Sequence, residues 1–404
     1  MTAPKSFAAL RQPQYRAYFL GAALAMMGDS IEHVISYWIM YEKFRSPALA
    51  GFAMLSHWLP FLLFSVWSGA LADRFDPRRV IQLGMACFMA ASLGWGLLFL
   101  SDSLEMWHAA LLLVLHGCAG VLWTPAAQLF IHDIVDAAHL PSAIRLAATA
   151  RYLGLLLGPA VGGVILLAMG PAWGILFNVL IYLPFIFWLW KAPYQRKGIA
   201  ATRIRGYSEI FEVMKKISQN PIIVSMTLLA GGASFLVGNA YQPQMPEFAD
   251  HLGYADGGIS YSALLGADAA GALTAGLLLE SRGLLAARPR TACILAMLWC
   301  VAMGSFALIN NYLIALMILF VAGFLELAFY AMAQTLVQLH APAEIRGRVI
   351  GLFAMAALGM RAFSGVTVGL GGSLIGIHWS LALSAGALLV FTTFLLLRNR
   401  RSWP

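Results

Sequence analysis

The chain has 404 residues, 61% of them hydrophobic and only 11% charged, with a mean hydropathy of +0.78 and a formal net charge of +8. Soluble domains carry about 25% charged residues. Here apolar runs of roughly 20 residues, enough to cross about 30 Å of hydrocarbon as helix, recur from end to end. The composition points away from soluble enzymes, and the basic excess reports membrane topology, not nucleic-acid binding. The chain reads as an all-α membrane protein.

The first twenty residues, MTAPKSFAALRQPQYRAYFL, lack the short apolar core and small-residue cleavage site of a secretory signal. Twelve helices are predicted after that start. The first six cover residues 16–41, 47–72, 80–101, 106–131, 142–168 and 171–191. The second six cover 220–247, 257–280, 290–309, 312–338, 344–372 and 376–397. The expected division is an N-terminal six-helix lobe (1–191), a basic linker (192–219) and a C-terminal six-helix lobe (220–404). Within the linker, GYSEIFEVMKKISQN is predicted to form an amphipathic surface helix with Phe211, Met214 and Ile217 on one side. Lys and Arg fall almost entirely in loops on the side of the termini, whereas only Lys43 and Arg45 lie clearly opposite. Both termini are therefore expected in the cytoplasm of a bacterial inner-membrane protein. Cys87, Cys118, Cys293 and Cys300 sit in spans without a CxxC pair and read as apolar filler. No metal or cofactor motif appears: there is no GxxxxGK[ST] loop and no HExxH.

Ionisable residues inside the spans are the candidate chemistry, because a charge at depth is costly and functional by default. In helix 1, Asp29, Glu32 and His33 share one face at i, i+3 and i+4. Burial and a neighbouring carboxylate both raise a carboxyl pKa, which suggests proton coupling. A structural alternative pairs Asp29 with His33, or with Arg151 of helix 5. Asp268, Glu326 and Arg361 form a possible second-lobe counterpart, with Arg361 pairing to either carboxylate. His57 and His116 read as satisfied interior histidines. Tyr37, Trp58, Trp123, Phe235, Asn239, Gln242 and Tyr330 are candidate cavity residues. Pro243 and Pro246 are expected to break the outer end of helix 7.

The two halves repeat. GALADRF at Gly69–Phe75 matches GLLLESR at Gly276–Arg282, and LPSAIR before helix 5 matches APAEIR before helix 11. Parallel six-plus-six repeats are typical of two-lobed transporters with a site between the lobes. GALADRFDPRR, through Gly69, Leu71, Asp73, Arg74, Arg78 and Arg79, resembles the signature loop of the major facilitator superfamily. It departs at Asp76, where that family usually has a second glycine. GLLLGPAVGG at Gly154–Gly163 resembles the glycine/proline motif of antiporters. The stretches ending in GALADRFDPRRV and PAEIRGRVIGL are most similar to the efflux branch containing the enterobactin exporter and macrolide pumps.

The resemblance implies twelve spans in two lobes, a cavity lined by helix 1, and a single-chain carrier embedded in lipid. It also implies a conformational latch made by Asp73 against a helix N-terminus, with Gly69, Arg74, Arg78, Arg79, Glu280, Arg282 and Arg346 as further members. Gly154, Gly158, Pro159 and Gly162 would form a hinge against helix 8. The leading expectation is a proton-coupled exporter of a siderophore or hydrophobic drug-like compound. A ferroportin-like metal exporter using Asp29, Glu32 and His33, a lysophospholipid transporter and a non-transporting membrane receptor remain open alternatives.

Overall fold

Hydrocarbon offers no water to backbone N–H and C=O groups, so a spanning segment must satisfy them within itself. The computed structural model follows that rule, with helices and no strand among the described residues. Those are 7–44, 47–192, 208–238, 241–253, 259–281, 287–364, 368, 371–399 and 403. Asn239 and Arg282, and the side chains of Pro159, Pro243 and Pro246, lie outside them.

The first half comprises α1 (Pro13–Phe44), α2 (Pro47–Arg74), α3 (Pro77–Leu100), α4 (Met106–Ile134) and α5 (Leu140–Lys191). The predicted fifth and sixth helices run together in α5, broken only at Gly170, whose φ of 73° is open to glycine at no steric cost. A short α6 (Ser208–Ile217) precedes the second half: α7 (Pro221–Leu236), α8 (Met245–His251), α9 (Ile259–Ser281), α10 (Pro289–Leu308), α11 (Tyr312–His340), α12 (Arg346–Ala354), α13 (Arg361–Ser364), α14 (Gly371–Ile375) and α15 (Ile377–Asn399). Nine stretches among the described residues are long and apolar enough to cross a membrane. With α1, the first part of α5 and the shorter apolar α7, they are consistent with twelve crossings in two lobes.

Helix starts follow local chemistry. Proline takes the first position of α3 and α7, where the missing N–H has no intrahelical partner. Asp76 accepts from the Arg78 N–H (3.0 Å), and Asn220 accepts from the N–H groups of Ile222 (3.1 Å) and Ile223 (3.2 Å). Three expectations need correction. The predicted helix 7 ends at Leu236, before its prolines, because Gly238 turns the chain with φ 51°. The predicted helix 344–372 is not continuous: a π-turn at Met355–Gly359 separates α12 from α13. In α6, Val213 and Ile217 are buried, one turn apart, while Phe211 and Met214 are exposed on another face.

Lipid tails are as apolar as leucine, so close packing of small residues takes over from the hydrophobic effect as the force between helices. The glycines of α5 show this, and they correct the expected partner. A Cβ on Gly154 would fall 2.5 Å from Met26 Cβ, and one on Gly162 would fall 3.3 Å from Ile31 Cα. The stripe therefore seats α5 on α1, directly behind Asp29 and Glu32, and only the start of α5 reaches α9, where Thr149 fills the space beside Gly276. Buried apolar residues form two clusters in the first half, one mainly in the second that also takes in Val66 of α2, and a small one of Phe61, Val121 and Leu358 that joins the halves.

Gly154→Val should lower the thermal midpoint of the detergent-solubilised protein, since overpacking costs about 1–3 kcal/mol. Gly163→Ala, with nothing within 4 Å of the added carbon, should leave the midpoint unchanged.

Candidate transport site

Two groups of buried polar residues lie inside the bundle, one in each lobe. In the first, Asp29, Glu32 and His116 are all nearly inaccessible. His116 Nδ1 is 2.8 Å from Glu32 Oε1 in good alignment. Its Nε2 is 2.8 Å from Asp29 Oδ1, but off-axis, so Nε2 has no aligned hydrogen-bond partner among the described residues. Ser92 donates to the other Glu32 oxygen (2.6 Å), and Asn178 donates to Ser92 Oγ (3.3 Å) and to the Gly28 carbonyl (2.9 Å). The His33 Nδ1–H donates to the Asp29 carbonyl (2.9 Å). Its ring centre is 4.9 Å from that of His57 and 4.6 Å from that of His116. A ring set between two carboxylates lets buried charge persist, because opposite charge stands close by in a low dielectric.

The second group joins α9, α11, α13 and the turn after α7. Tyr241 donates to Asp268 Oδ2 (3.2 Å), and Asp268 Oδ1 has no partner among the described residues. Arg361 Nη2 is 3.9 Å from Glu326, so of the two expected pairings the structure forms Glu326 with Arg361. The guanidinium also lies 5.1 Å over the ring of Trp58 and 6.0 Å from that of Tyr330. Trp58 belongs to α2, so this cation–π contact crosses between the lobes. Arg151 of α5 lies within electrostatic reach of both His57 and Glu326.

The predicted aromatics take several positions. Tyr37 packs edge-on against His33 (5.3 Å), and Tyr330 hydroxyl is 2.7 Å from Ser234 Oγ. Phe235 packs at a tilt against Phe363 (6.1 Å). Trp123 is buried edge-on against Phe88 (6.4 Å). Gln242 sits in the 3₁₀ turn before α8.

At the end of the bundle that carries both termini, the two repeats interlock. Asp73 accepts from the N–H groups of Gly347 (2.7 Å) and Arg348 (3.0 Å) at the start of α12. A carboxylate is favoured at a helix N-terminus by up to about 2 kcal/mol when partly buried. Gly69 and Gly347 meet backbone to backbone, leaving no room for a side chain on either. The mirror contact joins the end of α9 to the start of α5. Glu280 accepts from Ser142 and from Arg145 Nε (3.0 Å), and Arg145 Nη2 is 2.9 Å away. Gln338 of α11 bridges to His132 (3.0 Å) and Gln128 (3.2 Å) of α4. Arg346 lies within electrostatic reach of Asp73 and Asp133. The remaining signature residues have local duties: Arg78 clamps Asp76 (2.7 Å) and bonds the Ala192 carbonyl, Arg79 bonds Gln82 (2.9 Å), and Arg74 sits over Phe75 (5.4 Å).

The reading of His57 and His116 as unremarkable interior residues is therefore incomplete. His116 is the centre of the first group, Asn178 joins it as an interior polar residue of the predicted sixth helix, and Ser92 belongs to it unforeseen. Their only signal in the sequence is a polar side chain inside an otherwise apolar helix.

His116→Leu would leave two unpaired carboxylates side by side. Breaking a buried pair costs about 3–5 kcal/mol, so the thermal midpoint should fall clearly; an unchanged midpoint would show that the three groups do not share charge. Replacing Asp73 and Glu280 together by alanine should open the interlocked end. In a background without the four native cysteines, Gln338→Cys should then label with a water-soluble maleimide at least tenfold faster.

The model of the transmembrane secretion effector family matches residues 4–402. The enterobactin exporter of Escherichia coli K12 is 25% identical over 413 residues, covering 97% of this chain and 94% of that protein. The staphyloferrin A transporter of Staphylococcus aureus is 23% identical over 228 residues, and this match spans about half of each chain, 54% and 56%. Among solved structures, the human organic anion transporter MFSD10 superposes with a TM-score of 0.78 at 14% identity, covering 95% of this chain and 99% of that one. The proton:xylose symporter XylE gives 0.74 at 15%, covering 95% and 94%. Similarity at that level carries the fold alone. The family match along almost the whole chain carries more: this protein belongs to the transmembrane secretion effector family of the major facilitator superfamily and is a membrane transporter.

Proposed function

We propose that the chain exports a hydrophobic organic compound of the siderophore or drug class in exchange for protons, by alternating exposure of a cavity between two lobes. The lobes are residues 1–191 and 220–404, joined by 192–219. Both termini face the cytoplasm of a bacterial inner membrane, following the excess of Lys and Arg at that end, and one chain makes the working unit.

The observation that carries the coupling is Arg361, held by Glu326 on its own lobe and laid over Trp58 of the other. A proton taken up by the adjacent carboxyls Glu326 and Asp268 removes the counter-charge of Arg361 and changes its hold on Trp58. Proton binding and lobe position then share one free energy, and any ligand with differential affinity for the two positions is coupled to it. Asp29 and Glu32 stay in the reading as the polar floor of the first lobe, with both Glu32 oxygens held by His116 and Ser92 and Asp29 close to His116. The interlocked end supports the alternating motion, because the Asp73, Glu280 and Gln338 contacts all run from one lobe to the other. The cargo class rests on the names of the enterobactin and staphyloferrin A relatives, together with Trp58, Tyr330 and Phe235 as flat apolar surfaces near Arg361.

The test uses proteoliposomes with a trapped pH dye and a panel of catecholate and carboxylate siderophores, macrolides and cationic drugs. One organic class should drive proton movement, and Glu326→Gln should cut that movement at least tenfold in protein that still elutes as a folded, monodisperse species. Wild-type proton movement in Glu326→Gln would overturn the coupling assignment, and silence to every organic compound would overturn the cargo class.

A further inference from the structure

The first-lobe cluster contains three imidazoles from three helices: His33 of α1, His57 of α2 and His116 of α4. One ring nitrogen of each lies within 4.8 Å of the others. Such convergence is unusual for histidines that only fill space, since each ring then finds its own partner. Here the hydrogen bonding leaves one nitrogen of each ring without an aligned partner among the described residues. The His33 Nδ1–H is committed to the Asp29 carbonyl, which fixes the tautomer and leaves the Nε2 lone pair free. His57 Nδ1 is buried with no partner among the described residues, and so is His116 Nε2 in hydrogen-bond terms. His116 Nδ1 is held by Glu32, itself fixed by Ser92. A carboxylate behind a histidine in this way is the usual outer support of a metal-ligating imidazole.

We propose that His33, His57 and His116, with Asp29 as fourth donor, bind a single first-row divalent cation of the zinc, cobalt or iron(II) type. Asp29 Oδ1 already stands 2.8 Å from His116 Nε2 and Oδ2 stands 3.9 Å from His33, so one carboxylate oxygen borders the same space. Three imidazoles and one carboxylate are borderline donors and suit these ions over magnesium or calcium. Contraction of the nitrogens by about 1 Å brings them to the roughly 2.0–2.1 Å of a zinc–nitrogen bond. The ion replaces the proton on His116 Nε2, which leaves to solvent. The two positive charges are met by Asp29 and Glu32, so the filled site is neutral at depth, as a low dielectric requires. This ligand set includes His57 and His116 and differs from a site built on Asp29, Glu32 and His33 alone. It does not depend on the identity of the exported compound.

The probe is Co²⁺ added to the purified full-length chain in detergent, without a histidine tag. One equivalent should bind with the strong visible bands of a four-coordinate ion, and Zn²⁺ should displace it. His57→Gln should weaken binding at least tenfold. His57→Cys should keep the ion and add a near-ultraviolet thiolate-to-cobalt band missing from the wild type, which holds even if the glutamine variant folds poorly. His251→Gln, which alters the separate His251–His378 contact (2.8 Å), should change nothing. Weak six-coordinate bands only, equal affinity in His57→Gln, no thiolate band in His57→Cys, or loss of binding in His251→Gln would each overturn the site.

Discussion

A charge inside hydrocarbon must be answered locally, and this requirement organises the interior of the protein. Charge at depth is costly when isolated, so carboxylates, imidazoles and the guanidinium gather instead of scattering. In the first lobe His116 stands between Asp29 and Glu32, and Ser92 and Asn178 supply the remaining donors. In the second lobe Glu326 faces Arg361, and Tyr241 supports Asp268. Each group ties three or more helices together through polar contacts, so these residues also fix the rotation of the helices around them.

The internal repeat gives the second organising relation. Four short motifs, two carboxylate-bearing and two arginine-bearing, meet in crossed pairs at one end. Asp73 reaches the copy at Arg346–Arg348, and Glu280 reaches the copy at Ser142–Arg145. The pairs are related but not equivalent. Asp73 caps backbone amides, whereas Glu280 takes a hydroxyl and a guanidinium. Disturbing one contact therefore need not disturb the other, and the two have different sensitivities to side-chain substitution.

Much of the architecture could be read in the residues. Apolar run length placed the helices, the motif copies announced two halves, and i, i+3, i+4 spacing put Asp29, Glu32 and His33 on one face. What escaped depends on distance in space. His116, Ser92 and Asn178 lie on α4, α3 and α5, and their meeting with α1 depends on helix rotation, which a one-dimensional pattern does not contain. The break after Leu236 was assigned to prolines, because a glycine such as Gly238 gives no sign of its φ until the fold sets it. The π-turn at Met355–Gly359 was hidden for a similar reason: Gly359 passes close to the Leu62 backbone of α2, a tertiary contact with no local signature. In α6 the expected side of Phe211, Met214 and Ile217 mixes two faces, because Ile217 turns inward with Val213.

The backbone contact between Gly69 and Gly347 has a consequence for insulation. Side-chain seams leave crevices through which a thread of water can pass, and a thread of water conducts protons. Two peptide backbones in direct contact leave no such crevice. A carrier working across an energised membrane loses its driving force through any leak, so this joint serves as a dielectric seal as well as a mechanical one. That gives a reason for glycine on both sides of the contact that is separate from the energy of closure.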